Sequence, residues 1–337
     1  MNILDNFKNR AKEAGGSIVL PEAFDARTLK AAAQIAKEGL AEVILLGEES
    51  QVIADAKALG YDFSGSDASF SCIKIINPAS AQELPRFAEF FYNKRKDKGI
   101  SLEEALIAVQ QPLFFGACMV KHGLVGGMVA GAANTTADVL RAALQVVGVM
   151  PGLKTVSSTF IMVVPDFLGE EKVFLFADCA VVPNPTAEQL ADITTSTALT
   201  RRAIIGDEPY VALLSFSTMG SAEHELVEKV QNAKKILDER KVDFAYDGEM
   251  QLDAAIIPSI ASSKAPKSSV AGKANTLIFP DLQAGNIGYK LVQRMAKAEA
   301  IGPIIQGLAS PVCDLSRGCS AEDIVNTAVL VLLMAKK

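Results

Sequence analysis

The sequence predicts an α/β protein of two domains, each built on a parallel β-sheet covered by helices. Short apolar runs alternate with Ala-rich helical stretches, as in "SIVLPEAFDARTLKAAAQIAKEGLAEVILLGEES" near the amino terminus. Apolar residues make up 50% of the chain, aromatic residues only 6%, and Trp is absent, which is typical of covered parallel sheets. The length of 337 residues exceeds what one hydrophobic core usually serves.

The first domain begins with a βαβ unit. The apolar runs Ile18–Leu20 and Val43–Leu46 predict two strands, and the stretch between them predicts a helix that ends near Gly39. A third strand follows at "CIKIINP", then a helix through "AQELPRFAEFFYNKRKDKG" and a second helix opened by the capping box "SLEE" at Ser101. The run "GLVGGMVAGA" predicts a buried Gly-rich strand and turn.

The second domain is expected to begin near residue 146, where the pattern changes. The runs "FIMVV", "KVFLFADCAVV" and "PYVALLSFST" predict strands, separated by Pro and Gly and by two long helical stretches. Further on, "LIFP" predicts a strand, "DLQAGNIGYK" a turn, and the last helix begins at Ser320. Periodicity alone does not decide on which domain this last helix packs.

Charge and hydropathy exclude several classes of protein. A net charge of -6, a pI near 5.2 and the lack of a long basic run argue against a nucleic-acid surface. The longest apolar run, "TAVLVLLMA", is too short to span a bilayer, and the amino-terminal stretch lacks an apolar signal-peptide core. We therefore expect a soluble cytoplasmic protein that meets any anionic ligand with a few placed cations.

The cysteines and histidines give little support to nucleophilic or metal chemistry. Five cysteines are widely spread without CxxC pairing, so neither a disulfide framework nor a zinc site is indicated. His122 and His224 have unremarkable neighbours, which argues against a Ser-His-Asp or Cys-His mechanism. Cys313 and Cys319 are candidate nucleophiles by residue type, but their flanking residues are typical of packing and turns.

The segment "PVCDLSRGCSAED", residues 311–323, carries the strongest candidate site. Ser320 and Asp323 form a capping-box pattern, which by itself is enough to explain Asp323. Ser316 and Arg317 come just before this helix, so a hydroxyl, a guanidinium and free N–H groups are predicted to form an anion site. An acid, a hydroxyl and a cation within eight residues are able to act together.

Two further arginines are candidates for binding an anionic ligand. Arg141 follows the Gly-rich strand on the first turns of a helix, where α/β sheets bind ligands, although it could simply pair with Asp138. Arg95 lies in "NKRKDKG", a charged helix end where solvated cations are also expected.

Two polar segments are candidate anion-binding turns. The first, "LLSFSTMGS", contains Ser217 and Thr218, and the second, "DLQAGNIGYK", contains Asn286, Tyr289 and Lys290. Either turn could cradle an anion with backbone N–H groups, and either could equally be a loop with local hydroxyl bonds.

Taken together, these segments resemble the phosphate acetyltransferase (phosphotransacetylase) family over essentially the whole chain. The motifs that carry the resemblance are "IVLPEAFDARTLKAA", "NTTADVLRAALQ", "FADCAVVPNPTAEQLA", "ALLSFSTMGSA", "LIFPDLQAGNIGYKLVQR" and "GPIIQGLASPVCDLSRGCSAEDIV". The resemblance implies a fold similar to isocitrate and isopropylmalate dehydrogenases, with domains at 1–145 plus 300–337 and 146–299 and a cleft between them. It also implies a homodimer.

The resemblance further implies reversible acetyl transfer between coenzyme A, a substrate, and inorganic phosphate, with no metal or other cofactor. The family's catalytic serine, arginine and aspartate fall on Ser316, Arg317 and Asp323, and its coenzyme-A-side arginines fall on Arg95 and Arg141. Asp323 is expected to take the thiol proton and Arg317 to hold the phosphate. Ser316 is expected to orient the thiol or stabilise the developing charge.

The chain departs from the family pattern at two places. Cys313 stands where the family usually has Asn, and Ala23 and Phe24 stand where it usually has Gly and an acid. Cys313 is close enough to the Ser-Arg-Gly triplet to alter rate or acyl preference.

Three alternative functions stay open at this point. Phosphate butyryltransferase uses the same chemistry on a longer acyl chain. A dehydrogenase is suggested only by the implied fold, and a cluster of metal-binding aspartates is not found in the sequence. A catalytically silent acetyl-CoA-sensing domain is the third, although all five functional residues are present.

Overall fold

The computed structural model describes residues 3–335, which contain eleven strands and thirteen α-helices. The strands, in chain order, are β1 (Ser17–Leu20), β2 (Glu42–Leu46), β3 (Ile73–Ile76), β4 (Gly127–Ala130), β5 (Ser157–Phe167), β6 (Glu170–Ala177), β7 (Tyr210–Leu214), β8 (Ala245–Met250), β9 (Thr276–Ile278), β10 (Glu299–Gln306) and β11 (Val312–Asp314). The helices are α1 (Ile3–Ala14), α2 (Ala26–Lys37), α3 (Glu49–Ala58), α4 (Leu84–Arg95), α5 (Leu102–Gln110), α6 (Pro112–Lys121), α7 (Thr136–Ala142), α8 (Ala187–Ile204), α9 (Glu225–Arg240), α10 (Leu252–Ile256), α11 (Pro258–Lys264), α12 (Leu282–Met295) and α13 (Ala321–Met334).

The chain divides into two compact units, which confirms the α/β class for each. The first unit comprises Met1–Gly148 with Leu308–Lys337, and the second comprises Val149–Gly307. The family resemblance implies domains at residues 1–145 with 300–337 and at residues 146–299. The strand β10 lies in the second unit.

The first unit contains a five-stranded, fully parallel sheet in the order β11-β4-β1-β2-β3. Its inner strands are short and almost wholly buried, because helices cover a parallel sheet on both faces. The last helix, α13, packs on α1, α2 and β4. The segment after residue 307 therefore adds both an edge strand and a covering helix to this sheet.

The second unit contains a mixed sheet, and here the expectation of a parallel sheet is wrong. The order is β10-β5-β6-β9-β7-β8, and β5 runs antiparallel to both β6 and β10. Only Leu168 and Gly169 separate β5 from β6, and both have positive φ, 57° and 92°. A two-residue turn of this kind joins antiparallel strands, whereas a parallel pair needs a long crossover.

The core of the second unit lies on both faces of its sheet. One cluster of buried side chains contains Leu277 of β9, and another contains the adjacent Ile278. Successive strand residues point to opposite faces, so β6, β7 and β9 each contribute to both clusters.

The segment "DLQAGNIGYK" is helical, which corrects the predicted turn. Asp281 begins α12 by accepting a hydrogen bond from the Ala284 N–H at 2.9 Å. The two glycines allow close packing rather than a change of direction: a Cβ at Gly285 would collide with the Asp178 carbonyl, and one at Gly288 would press on the Phe279 ring.

A buried carboxylate organises the Gly-rich loop after β4. Glu22, 2% exposed, accepts hydrogen bonds from the backbone N–H groups of residues 131–134 at 2.7–3.1 Å. The Asn134 side-chain amide adds a fifth donor at 2.7 Å. The N–H groups of this loop are thus bound to the protein's own carboxylate, which ties the end of β1 to the end of β4.

We predict that Glu22→Gln destabilises the protein by about 2–4 kcal/mol. An amide places an NH2 group opposite backbone donors, so two of the five hydrogen bonds lose their acceptor. Urea denaturation followed by circular dichroism measures the change. The control Glu171→Gln removes an exposed acid and should stay within about 0.5 kcal/mol; equal losses in the two variants would contradict the prediction.

Candidate active site

The Ser-Arg-Gly triplet forms a tight turn at the carboxyl end of β11. The Leu315 N–H continues the pairing with β4 by donating to the Ala130 carbonyl at 2.8 Å. The Ser316 hydroxyl then accepts from the Gly318 N–H at 3.2 Å, and the Cys319 N–H donates to the Ser316 carbonyl at 2.9 Å. Residues 316–318 are exposed, at the edge of a parallel sheet where ligands usually bind.

Asp323 has one oxygen in a helix cap and one oxygen free. Its Oδ2 accepts from the Ser320 N–H at 2.8 Å and from the Ser320 hydroxyl at 2.9 Å, while its own N–H donates to Ser320 Oγ at 3.1 Å. The predicted capping box is therefore confirmed. Within residues 3–335, Oδ1 has no hydrogen-bond partner and the residue is exposed, so this oxygen is available to a ligand.

Arg27 holds the turn in place and was missed by sequence reasoning. Its Nη1 donates to the carbonyls of Arg317 at 2.7 Å and Cys319 at 3.0 Å, and its Nη2 donates to the carbonyl of Ala132. Asp25, which caps α2, pairs with the same guanidinium at 2.7 Å, and this contact lowers the pKa of the Asp25 carboxyl. The only sequence signal was the Asp-Ala-Arg spacing at the start of α2.

The guanidinium of Arg317 makes no hydrogen bond or ion pair with any residue in the described part of the chain. Its backbone, by contrast, is held by Arg27. A fixed main chain with an exposed, unpaired cation is the arrangement expected for binding an anion.

The two coenzyme-A-side candidates lie on α4 and α7 of the first unit, both of which pack on α6. Arg141 on α7 pairs with Asp138 at 2.8 Å, both side chains being exposed, and Arg95 ends α4 half-buried. Lys94 donates to the Val146 carbonyl at 2.6 Å, joining the end of α4 to the π-helical turn that follows α7. Burial, Lys121 and Arg95 lower the pKa of Lys94.

The structure brings Ser316, Arg317 and Asp323 together on one turn and one helix start. Between residues 3 and 335, neither Arg95 nor Arg141 forms a hydrogen bond or ion pair with that turn. Their part in a common site stays a prediction.

In the second unit, the turn after β7 is bonded internally. The Ser217 hydroxyl, fully buried, donates to Glu249 at 2.8 Å, and the Gly220 N–H donates to the same carboxylate at 2.8 Å. The Thr218 N–H donates to Ser221 at 2.9 Å. As in the loop after β4, the protein's own carboxylate occupies the place of an anion.

The other predicted group in the second unit lies on α12 and also has local partners. Asn286 donates to the Cys179 carbonyl at 3.1 Å and accepts from Lys290 at 2.9 Å. Tyr289 stacks on Phe160 with ring centroids 4.2 Å apart. These contacts account for the three polar side chains without a ligand.

The cysteines and acids of residues 3–335 are not grouped as a nucleophilic or metal centre. None of the five cysteines takes part in a disulfide, and burial raises the pKa of Cys319, which keeps its thiol protonated. Cys313, fully buried, lies in β11 opposite Val129. Among residues 3–335 no three His, Cys, Asp or Glu side chains are grouped to hold a metal, and no helix has the length and apolar character to cross a membrane.

Comparison with known proteins identifies the family. The model of the family described as "Phosphate acetyl/butaryl transferase" matches residues 2–332. Proteins named phosphate acetyltransferase from Thermoanaerobacterium thermosaccharolyticum and Clostridium acetobutylicum are 51% and 49% identical, each over 100% of this chain and 100% and 99% of their own lengths. The crystal structure of a phosphotransacetylase from Streptococcus pyogenes is 42% identical with a TM-score of 0.89, covering 98% of this chain and 97% of its own. The chain therefore belongs to the phosphate acetyl/butyryl transferase family.

Proposed function

We propose that this protein is a phosphate acetyltransferase that moves an acetyl group reversibly between coenzyme A and inorganic phosphate at the 316–323 segment. The observation that carries the site is the exposed Arg317 guanidinium, which has no partner within residues 3–335. Asp323, whose Oδ1 also has no partner there, lies six residues further along the chain. A cation for the phosphate and a base for the thiol are the two groups that this transfer requires.

The proposed reaction is direct transfer. Asp323 Oδ1 takes the proton of the coenzyme A thiol, and the thiolate sulfur forms a bond to the carbonyl carbon of acetyl phosphate. The bond from that carbon to the phosphate oxygen breaks, and phosphate leaves with the bonding electron pair while Arg317 binds it. Ser316 orients the thiol or donates to the developing oxyanion.

The Asp323 carboxylate is too weak a base to deprotonate the thiol without stabilisation from its surroundings. Proton transfer from a free thiol, pKa about 8.5, to a free carboxylate, pKa about 4, is uphill by roughly 6 kcal/mol. One well-placed donor to a developing negative charge contributes about 3–4 kcal/mol, and holding both substrates in position supplies much of the rest. The hydrogen bonds from Arg27 to the Arg317 and Cys319 carbonyls support such positioning, since they fix the turn before substrate binds.

Arg95 and Arg141 are proposed to bind the phosphates of coenzyme A. The Nη1 of Arg141 is paired with Asp138, and an exposed pair of this kind contributes only about 0–1 kcal/mol. A phosphate dianion is therefore able to displace Asp138 at small cost.

The remaining proposals come from the family resemblance. The protein acts as a cytoplasmic homodimer, without contact to membrane or nucleic acid, and coenzyme A is a substrate rather than a bound cofactor. The transfer described above uses no metal or other cofactor.

We expect phosphate-dependent release of coenzyme A from acetyl-CoA, followed with a thiol reagent. Turnover of acetyl-CoA should exceed that of butyryl-CoA, because the relatives about half identical to this chain are named phosphate acetyltransferase. A preference for butyryl-CoA would assign the alternative function, phosphate butyryltransferase. Binding of acetyl-CoA without turnover would indicate a silent sensing domain.

We predict that Arg317→Gln lowers kcat by roughly 10²–10³-fold, because the side chain that neutralises the leaving phosphate is lost. Stability should change little, since Arg27 binds the backbone of residue 317 and not its side chain. The matched control is Arg294→Gln, an exposed arginine on α12, which should turn over normally. Comparable kcat values for the two variants would refute the role of Arg317.

We predict that Asp323→Asn removes the function of Asp323 as a base but keeps its function as a helix cap. Asn accepts the Ser320 N–H as Asp does, so the unfolding free energy should change by less than about 1 kcal/mol while kcat falls at least about 100-fold. The control Ser101→Ala removes the cap of α5 and should cost about 1 kcal/mol of stability with unchanged kcat. Full activity in Asp323→Asn would leave Asp323 as a cap only.

A further inference from the structure

A buried acid, Asp314, lies two residues before Ser316 and has no part in the reaction described above. It ends β11 and is 7% exposed. Its Oδ2 accepts a hydrogen bond from the Thr136 hydroxyl at 2.6 Å. Its Oδ1 is buried and has no hydrogen-bond partner within residues 3–335.

The folded structure alone does not account for a charge at this position. Glu22, also buried, binds five donors, whereas Asp314 leaves one oxygen unused. Burying a carboxylate without filling its acceptor sites lowers stability, so a neutral residue of similar shape would serve the fold at least as well. Groups that oppose stability in this way are concentrated at functional sites.

The contacts of Asp314 join two parts of the proposed site. Thr136 is the first residue of α7, the helix that carries Arg141, and Asp314 leads directly into the turn with Ser316 and Arg317. Gly131 confines the carboxylate, because a Cβ there would collide with Oδ1 and with the Leu315 backbone.

We propose that Asp314 is a positioning residue for acetyl transfer: its ionised carboxylate, through Thr136, holds α7 and the 316–318 turn in one arrangement, and its protonation loosens that arrangement and lowers turnover. The proposal rests on the proposed function. Asp314 touches no reacting atom and acts by aligning Arg141 with Arg317.

The surroundings of Asp314 set the pH range in which its protonation should lower turnover. Burial raises its pKa to about 6; Glu22 acts in the same direction, while Thr136 and the Leu315 N–H oppose it. The elements packed on β11 are β4, which carries no charge, α7 with Asp138 and Arg141, and α13 with Glu322 and Asp323. Glu322 is bound to Lys8 and Gln34.

Activity and stability should respond to this titration in opposite directions. Turnover needs the ionised form, so kcat should fall as the pH drops through about 6. The pKa is raised from 3.8 in the folded state, so the protonated form stabilises the fold, and this contribution is lost as the pH rises from 3.8 to about 6. A residue with a merely structural role would lose activity and stability together.

The test measures kcat, KM and the thermal unfolding midpoint from pH 4.5 to 8.5 for wild type, Asp314→Asn, Thr136→Val and the control Glu171→Gln. Asp314→Asn should lower kcat at pH 7.5 at least tenfold, lack the acid limb near pH 6, and unfold at the wild-type midpoint or above it. Thr136→Val should likewise lower kcat at pH 7.5 at least tenfold, because it removes the hydroxyl through which Asp314 holds α7. Glu171→Gln should match wild type throughout.

Several results would overturn the proposal. A wild-type kcat and pH profile in Asp314→Asn would do so, as would a lowered midpoint accompanying the loss of kcat. A wild-type kcat at pH 7.5 in Thr136→Val would also do so, even if Asp314→Asn failed to fold. Absence of phosphate-dependent coenzyme A release in wild type would overturn the proposed function and this inference together, whereas a normal wild type with unaffected variants would overturn only the inference.

Discussion

The carboxylate of Glu22 inside the Gly-rich loop is the interaction on which the site of the first unit depends. By binding the N–H groups of residues 131–134, it sets where the chain turns after β4. The carbonyl of Ala132 then faces Arg27, and the next residues begin α7 at Thr136. The turn that carries the proposed chemistry is thus positioned by an interaction between the ends of two other strands.

The same arrangement recurs in the second unit, and it explains which polar turns are open to a ligand. Glu249 occupies the turn after β7, and Asp178 accepts from the N–H groups of residues 180–182. The sequence does not show whether the backbone N–H groups of a turn are free. In these turns they donate hydrogen bonds to carboxylates of the same chain. Among the predicted anion sites, the 316–318 turn is exposed and carries a guanidinium that has no partner in the described part of the chain.

Local patterns allowed much of the fold and the centre of the site to be predicted, and non-local contacts limited the rest. The capping box at Ser320 needs only neighbouring residues, so it could be recognised in the sequence. Arg27 could not, because its acceptors are backbone carbonyls of Arg317 and Cys319, about 290 positions away, and any residue type supplies a carbonyl. The sequence predicts a turn for the glycine-containing segment on α12, because glycine is common in turns. The sequence does not show that these two glycines serve close packing instead.

The clamp made by Arg27 has a consequence for how this protein can change. Because the guanidinium binds main-chain oxygens, the side chains at positions 317 and 319 are not required for the clamp itself. The exposed side chain at position 317 can thus be exchanged without loss of the hydrogen bonds that hold the backbone of the turn. In the first unit, the residue that fixes the shape of the 316–318 turn is therefore distinct from the side chains proposed to give that turn its chemistry.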